Sequence, residues 1–208
     1  MIHRALARQV TVRLAALAAV TALGACVTLF PKTAPSQLYR FDAAVQSMPP
    51  ASGPPVAVRL GTVDFDPAAA GDRLLTVDGD QVAYVQDGRW AIPAGQMFQE
   101  AVTHGFHAAG MRLVDIGESG QARFRLRLQV THFEARYLSG PKAAPTVFVT
   151  VRATLDHPNG ALVAEQPFEA SFAASDNRLG AIVQAYDQAV SKVVGELVAW
   201  VGQSAQTA

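Results

Sequence analysis

One cysteine, Cys26, stands in 208 residues, so an intrachain disulfide is excluded and the fold must rest on its core. Charge is also scarce: 16% of the residues are Asp, Glu, Lys or Arg, and the 17 basic residues balance the 17 acidic ones. A general affinity for nucleic acid therefore has no support. No apolar run reaches the ~20 residues of a membrane-spanning helix; the longest stretch of that kind is Leu14 to Leu23. Catalytic signatures are missing too. Neither Gly117-Glu118-Ser119-Gly120 nor Leu138-Ser139-Gly140 supplies the Gly-x-Ser-x-Gly elbow, and no Gly-x-x-x-x-Gly-Lys phosphate loop occurs. Glu100, His104 and His107 lack the His-Glu-x-x-His order of a zinc helix. Asp64, Asp66, Asp72, Asp78 and Asp80 lack the ligand order and closing Glu of an EF-hand loop, and read as turn residues. No catalytic residue, metal or cofactor is expected, and the chain reads as a non-enzyme.

What is present begins at the N-terminus. Arg4, Arg8 and Arg13 precede the apolar Leu14–Leu23 segment with no acidic residue among them, the n-region and h-region of a secretory signal. Leu23-Gly24-Ala25-Cys26 then fits the bacterial lipobox, in which the thiol is acylated and the signal removed just before it. With no His, Asp or Glu in the ten residues upstream to lower its pKa, Cys26 is a poor nucleophile, and its expected role is as a lipid anchor. Each buried methylene contributes about 0.8 kcal/mol, so two or more chains hold a protein stably on a membrane. Val27 follows, where Asp resembles an inner-membrane retention signal, so the expected destination is the periplasmic face of the outer membrane. Removing residues 1–25 leaves 14 Lys+Arg against 17 Asp+Glu, a mildly acidic mature chain.

Residues 26–55 are rich in Pro, Ala, Ser and Gln and read as a tether. Gln37 to Asp42 alternates within it and is a candidate short strand. Residues 56–204 form the expected folded domain. Val56–Val63, Arg73–Val77 and Gln81–Gln86 read as strands, the last two joined by Asp78-Gly79-Asp80. Pro93 opens a helix whose Met97, Phe98, Ala101, Val102 and Phe106 share one side, ending at Gly110, and Met111 to Ile116 reads as a short strand.

Phe124, Leu126, Leu128 and Val130 alternate with Arg123, Arg125, Arg127 and Gln129, a long strand with one apolar and one charged face. Val147 to Leu155 repeats the pattern and turns through His157-Pro158-Asn159-Gly160 into Ala161–Ala173. Leu179 to Trp200 follows helical spacing after a cap at Ser175 or Asp176. The expected fold is a single α/β (α+β) domain, a largely antiparallel sheet covered by two helices, behind a signal peptide and a Pro-rich tether. Arg123, Arg125 and Arg127, at about 7 Å spacing, read either as a solvated face balanced by neighbouring carboxylates or as contacts for a lipid headgroup or partner protein.

The lipobox, the tether, Tyr39-Arg40-Phe41, Asp72-Arg73-Leu74-Leu75, Val82-Ala83-Tyr84 and Gly88-Arg89-Trp90-Ala91 leading into the helix that ends at Gly110 follow one another in order. Together they resemble the ABC-type transport auxiliary lipoproteins, the group that includes the intermembrane transport lipoprotein PqiC. The resemblance implies a lipid-anchored accessory subunit that does no chemistry. Its implied partners are an ABC transporter and an Mce-type substrate-binding protein that move lipid across a Gram-negative envelope. Self-association into a ring suits a protein that lines or caps a conduit. Tyr84, Arg89 and Trp90 are candidate partner contacts, with Trp90 equally readable as a core residue. Two other readings stay open: an activator or scaffold of a cell-envelope enzyme, and a carrier of apolar ligand.

Overall fold

The computed structural model describes residues 36–42, 56–114 and 122–208. Eight strands and two helices lie within them: β1 (Gln37–Tyr39), β2 (Ala57–Phe65), β3 (Arg73–Asp78), β4 (Gln81–Trp90), α1 (Ala94–Ala108), β5 (Arg112–Leu113), β6 (Phe124–Arg136), β7 (Thr146–Asp156), β8 (Leu162–Ala173) and α2 (Leu179–Thr207). They belong to one compact unit, Ser36–Ala208. The α/β domain with two helices over its sheet is the architecture expected from the sequence.

β6 organises the sheet. On one edge it pairs antiparallel with β7, which pairs antiparallel with β8. Its other edge is shared: β2 runs parallel to its first half, from Phe124 to Val130, and β3 meets Ala135 and Arg136 at its end. β3 continues antiparallel into β4, β4 takes β1 in parallel, and β2 takes β5 in parallel. The long ladders are antiparallel; the short parallel ones join segments far apart in sequence.

Alternation dictates which side is core. Val147, Val149, Val151, Ala153 and Leu155 are fully buried, as are Phe124 and Leu126, while the residues between them face outward. A bulge between Val130 and His132 shifts the phase of β6, so that Phe133 and Ala135 enter the same core as Val130. β8 carries Pro167 opposite Arg152, tolerable because an edge strand need not donate on its outer side. Glu165 and Glu169 add charge to that strand, which discourages edge-to-edge pairing.

Both helices bury the faces that their spacing marks. Met97, Phe98, Ala101, Val102 and Phe106 of α1 are buried, and so are Ile182, Val183, Tyr186, Val190, Val193, Val194 and Leu197 of α2. Phe41, Trp90, Phe133 and Tyr186 bring β4, β6, α2 and the residues after β1 together. Ring centroids lie 5.5 Å apart for Phe41–Trp90, 5.2 Å for Trp90–Tyr186 and 4.8 Å for Phe133–Tyr186. Full burial of each such side chain stabilises the fold by roughly 1.5–3 kcal/mol. Burial also pushes the Tyr186 phenol well above its ordinary range, helped by the charge of Glu134.

Several local expectations change. β4 runs on to Trp90 rather than stopping at Gln86, because Gln37–Tyr39 pairs with Gly88–Trp90 and extends the ladder. α2 is not capped by Ser175 or Asp176. It starts at Leu179 behind an extended Arg178, and Asp176 Oδ1 accepts the Arg178 N–H at 2.9 Å. The same carboxylate binds the Arg178 guanidinium, which holds the Asp176 pKa down; it is spent on the preceding loop. After α1 the strand is short, Arg112–Leu113, and residues 115–121 lie outside the described residues.

Candidate functional site

Cys26 and Val27, the anchor and sorting residues read from the sequence, lie outside the described residues. The remaining candidates fall in two separate places. Arg123, Arg125 and Arg127 stand at the start of β6, on the side away from the core. Tyr84, Arg89 and Trp90 stand on β4, which reaches β6 only through β3 at the opposite end of the strand. They do not form one site.

Two of the three arginines share a single carboxylate. Asp156, only 2% exposed, accepts from Arg127 Nε at 2.8 Å and from Arg125 Nη2 at 3.5 Å. The stripe is therefore partly neutralised from β7, as the solvated-face reading requires, yet more guanidinium than carboxylate remains. Arg123 lays its guanidinium 5.3 Å from the Phe124 ring centroid. Arg59, in register with Arg125 across the parallel ladder, has no ion-pair partner among the described residues.

Gly61 makes room for this cluster. It sits in a bulge of β2 between Leu60 and Val63, and a Cβ there would lie 3.1 Å from the Leu126 carbonyl. The same Cβ would lie 3.3 Å and 3.4 Å from the stems of Arg127 and Arg125. With hydrogen in its place, both stems can lie close over β2. The spacing of β6 showed the arginines; neither Asp156 nor Gly61 could be tied to them until the strand register was known.

On β4 the three candidates have different states. Trp90 is 2% exposed and makes the core contacts described above, so of its two readings the core one holds. It cannot serve as an exposed anchor. Tyr84 is half-buried, donates its hydroxyl to the Ala68 carbonyl at 3.0 Å and lies under Arg73, 4.2 Å from its ring centroid. Arg89 is exposed and pairs with Asp72 at 2.7 Å.

His104 and His107 are exposed on α1, and Glu100 faces Arg40 at 3.5 Å. Among the described residues, no three His, Cys, Asp or Glu side chains converge as metal ligands. Nor is any described helix long and apolar enough to cross a membrane.

The model of the family described as ABC-type transport auxiliary lipoprotein component matches residues 39–198. Among solved structures, protein XCC0632 from Xanthomonas campestris superimposes with a TM-score of 0.71 at 21% identity, covering 82% of this chain and 98% of that one. The hypothetical protein CT253 from Chlamydia trachomatis gives a TM-score of 0.51 at 13% identity, covering 74% and 100%. At these identities the likeness is one of fold. No curated protein sequence is significantly similar.

Proposed function

The chain belongs to the family of ABC-type transport auxiliary lipoproteins, and on that premise we propose that it is a non-catalytic accessory subunit of an intermembrane lipid transport system. Cys26 carries the lipid anchor, and the protein works at the periplasmic face of the outer membrane with an ABC transporter and an Mce-type substrate-binding protein. The observation that carries this reading is the family match, which extends from Tyr39 at the end of β1 to Val198 in α2.

The lipobox supports it, and so does the length of chain behind the anchor. An extended segment reaches at most ~3.3–3.6 Å per residue, so the nine residues 27–35 could span no more than about 30 Å between Cys26 and the folded unit. Location and reach, rather than turnover, are what this architecture supplies. Cells that lack the chain test the reading. The native form is expected to restore the outer-membrane barrier to detergent, and Cys26→Ala, released from the membrane fraction, is expected not to. A soluble Cys26→Ala protein that restores the barrier fully would remove the anchor from the mechanism.

A further inference from the structure

The outward side of the β2–β6–β7 ladder bears opposite charges at the two ends of one groove. Asp64 on β2, Gln129 on β6 and Arg152 on β7 lie in one row across the strands, with Arg127 and Thr154 in the adjoining row. Neighbouring strands are about 4.8 Å apart, which sets the Asp64 and Arg152 backbones roughly 10 Å from each other across Gln129. These residues and Thr62, from the β2 bulge, bound a groove of about 200 Å³. At Asp64 and Gln129 it adjoins a second cavity of about 340 Å³ flanked by Asp66.

Each basic group is held from outside the groove and keeps donors to spare. Arg127 gives its Nε–H to Asp156, and Arg152 gives Nη1 to Glu165 at 3.0 Å, so the rest of each guanidinium fork is unspent. At the other end Asp64 makes no ion pair among the described residues. Asp66, exposed, accepts the Ala68 N–H at Oδ1 at 2.9 Å, and makes no ion pair among the described residues. Two oriented guanidiniums with two threonine hydroxyls suit a phosphate, since such forks bind its oxygens by charge-assisted hydrogen bonds. Free carboxylates a short step away suit a primary ammonium.

We propose that this groove binds a phosphoethanolamine group, its phosphate at Arg127 and Arg152 and its ammonium at Asp64. A phosphoglycerol group offers the carboxylates no cation. A phosphocholine group offers no N–H, and the nearby Phe65 ring is engaged with Phe98 and Phe133 rather than open as a cation platform. The inference names the lipid class for the transport reading and rests on that reading for the ligand's origin.

The test is calorimetric titration of the full chain in maltoside micelles with soluble glycerophosphoethanolamine, glycerophosphoglycerol and glycerophosphocholine. The expected result is at least tenfold tighter binding of the ethanolamine compound. Asp64→Asn should erase that preference and leave glycerophosphoglycerol unchanged, and Arg152→Gln should weaken both. Both side chains are at the surface, so circular dichroism should show the native fold. Equal affinity for the ethanolamine and glycerol compounds in the native chain, or an Asp64→Asn preference as strong as native, would overturn the site. Competition by dioleoylphosphatidylethanolamine in the micelles assigns the ligand to a membrane lipid; soluble headgroup binding without such competition keeps the site and assigns it to a free headgroup. Failed titrations would leave the transport reading standing, whereas an unaltered barrier in cells lacking the chain would overturn transport and leave the titrations untouched.

Discussion

Arg127 and Asp156 meet at 2.8 Å across the β6–β7 ladder, the carboxylate buried and the guanidinium half-exposed. That asymmetry orders the expected mutational costs. Asp156→Asn leaves the half-exposed Arg127 open to water and should cost about 1–3 kcal/mol. The double variant Arg125→Gln/Arg127→Gln strands a buried carboxylate and should cost about 3–5 kcal/mol. Adding Asp156→Asn to that pair should recover part of the loss. Urea unfolding of all three variants checks the order, and a larger cost for Asp156→Asn than for the arginine pair would contradict it.

Arg89 and Trp90 are neighbours in sequence with opposite expectations. Arg89→Ala removes an exposed pair with Asp72 and should cost less than about 1 kcal/mol. Trp90→Ala opens a cavity among Phe41, Phe133 and Tyr186 and should cost about 3–5 kcal/mol, a large part of a domain's stability. If Arg89→Ala folds normally and still loses activity in cells, Arg89 acts at an interface.

Tyr186 makes stability fall at high pH. Its folded pKa is raised above the ordinary value of 10.0 by burial. Below that value both states keep the phenol protonated and the contribution is complete. Above it the unfolded chain releases a proton that the folded chain retains, so stability drops by about 1.4 kcal/mol per pH unit from this group. Urea midpoints at pH 9, 10 and 11 should show the fall. Tyr186→Phe, which gives up only a 3.4 Å hydrogen bond to the Leu75 carbonyl, should flatten it.

The parts legible in the sequence are those governed by local periodicity. The alternation of β6 and β7 and the apolar stripes of α1 and α2 needed only a window of residues. Other features needed register. Gln-Asp-Gly-Arg at 86–89 breaks period two, and pairing with Gln37–Tyr39 on one side and with Arg73 on the other makes it strand. Asp156, just past the apolar alternation of β7, carries no signal of its own in the sequence, and only the ladder sets it against Arg125, its direct partner in register. Asp64 reads as a turn residue in the sequence but lies within β2, and only the register across Gln129 sets it in one row with Arg152, 88 residues on. Trp90 had two readings because a tryptophan's spacing does not tell core from interface; its ring contacts do.

On the proposed function, this chain serves an ABC transporter from a lipid anchor. Purification of the tagged full chain from native membranes in mild detergent tests it most directly. An ABC permease, its ATPase and an Mce-type protein are expected to copurify in fixed ratio, and to be lost when Cys26→Ala releases the chain from the membrane. Recovery of a cell-wall synthase in fixed ratio, with no transporter subunit, would contradict it.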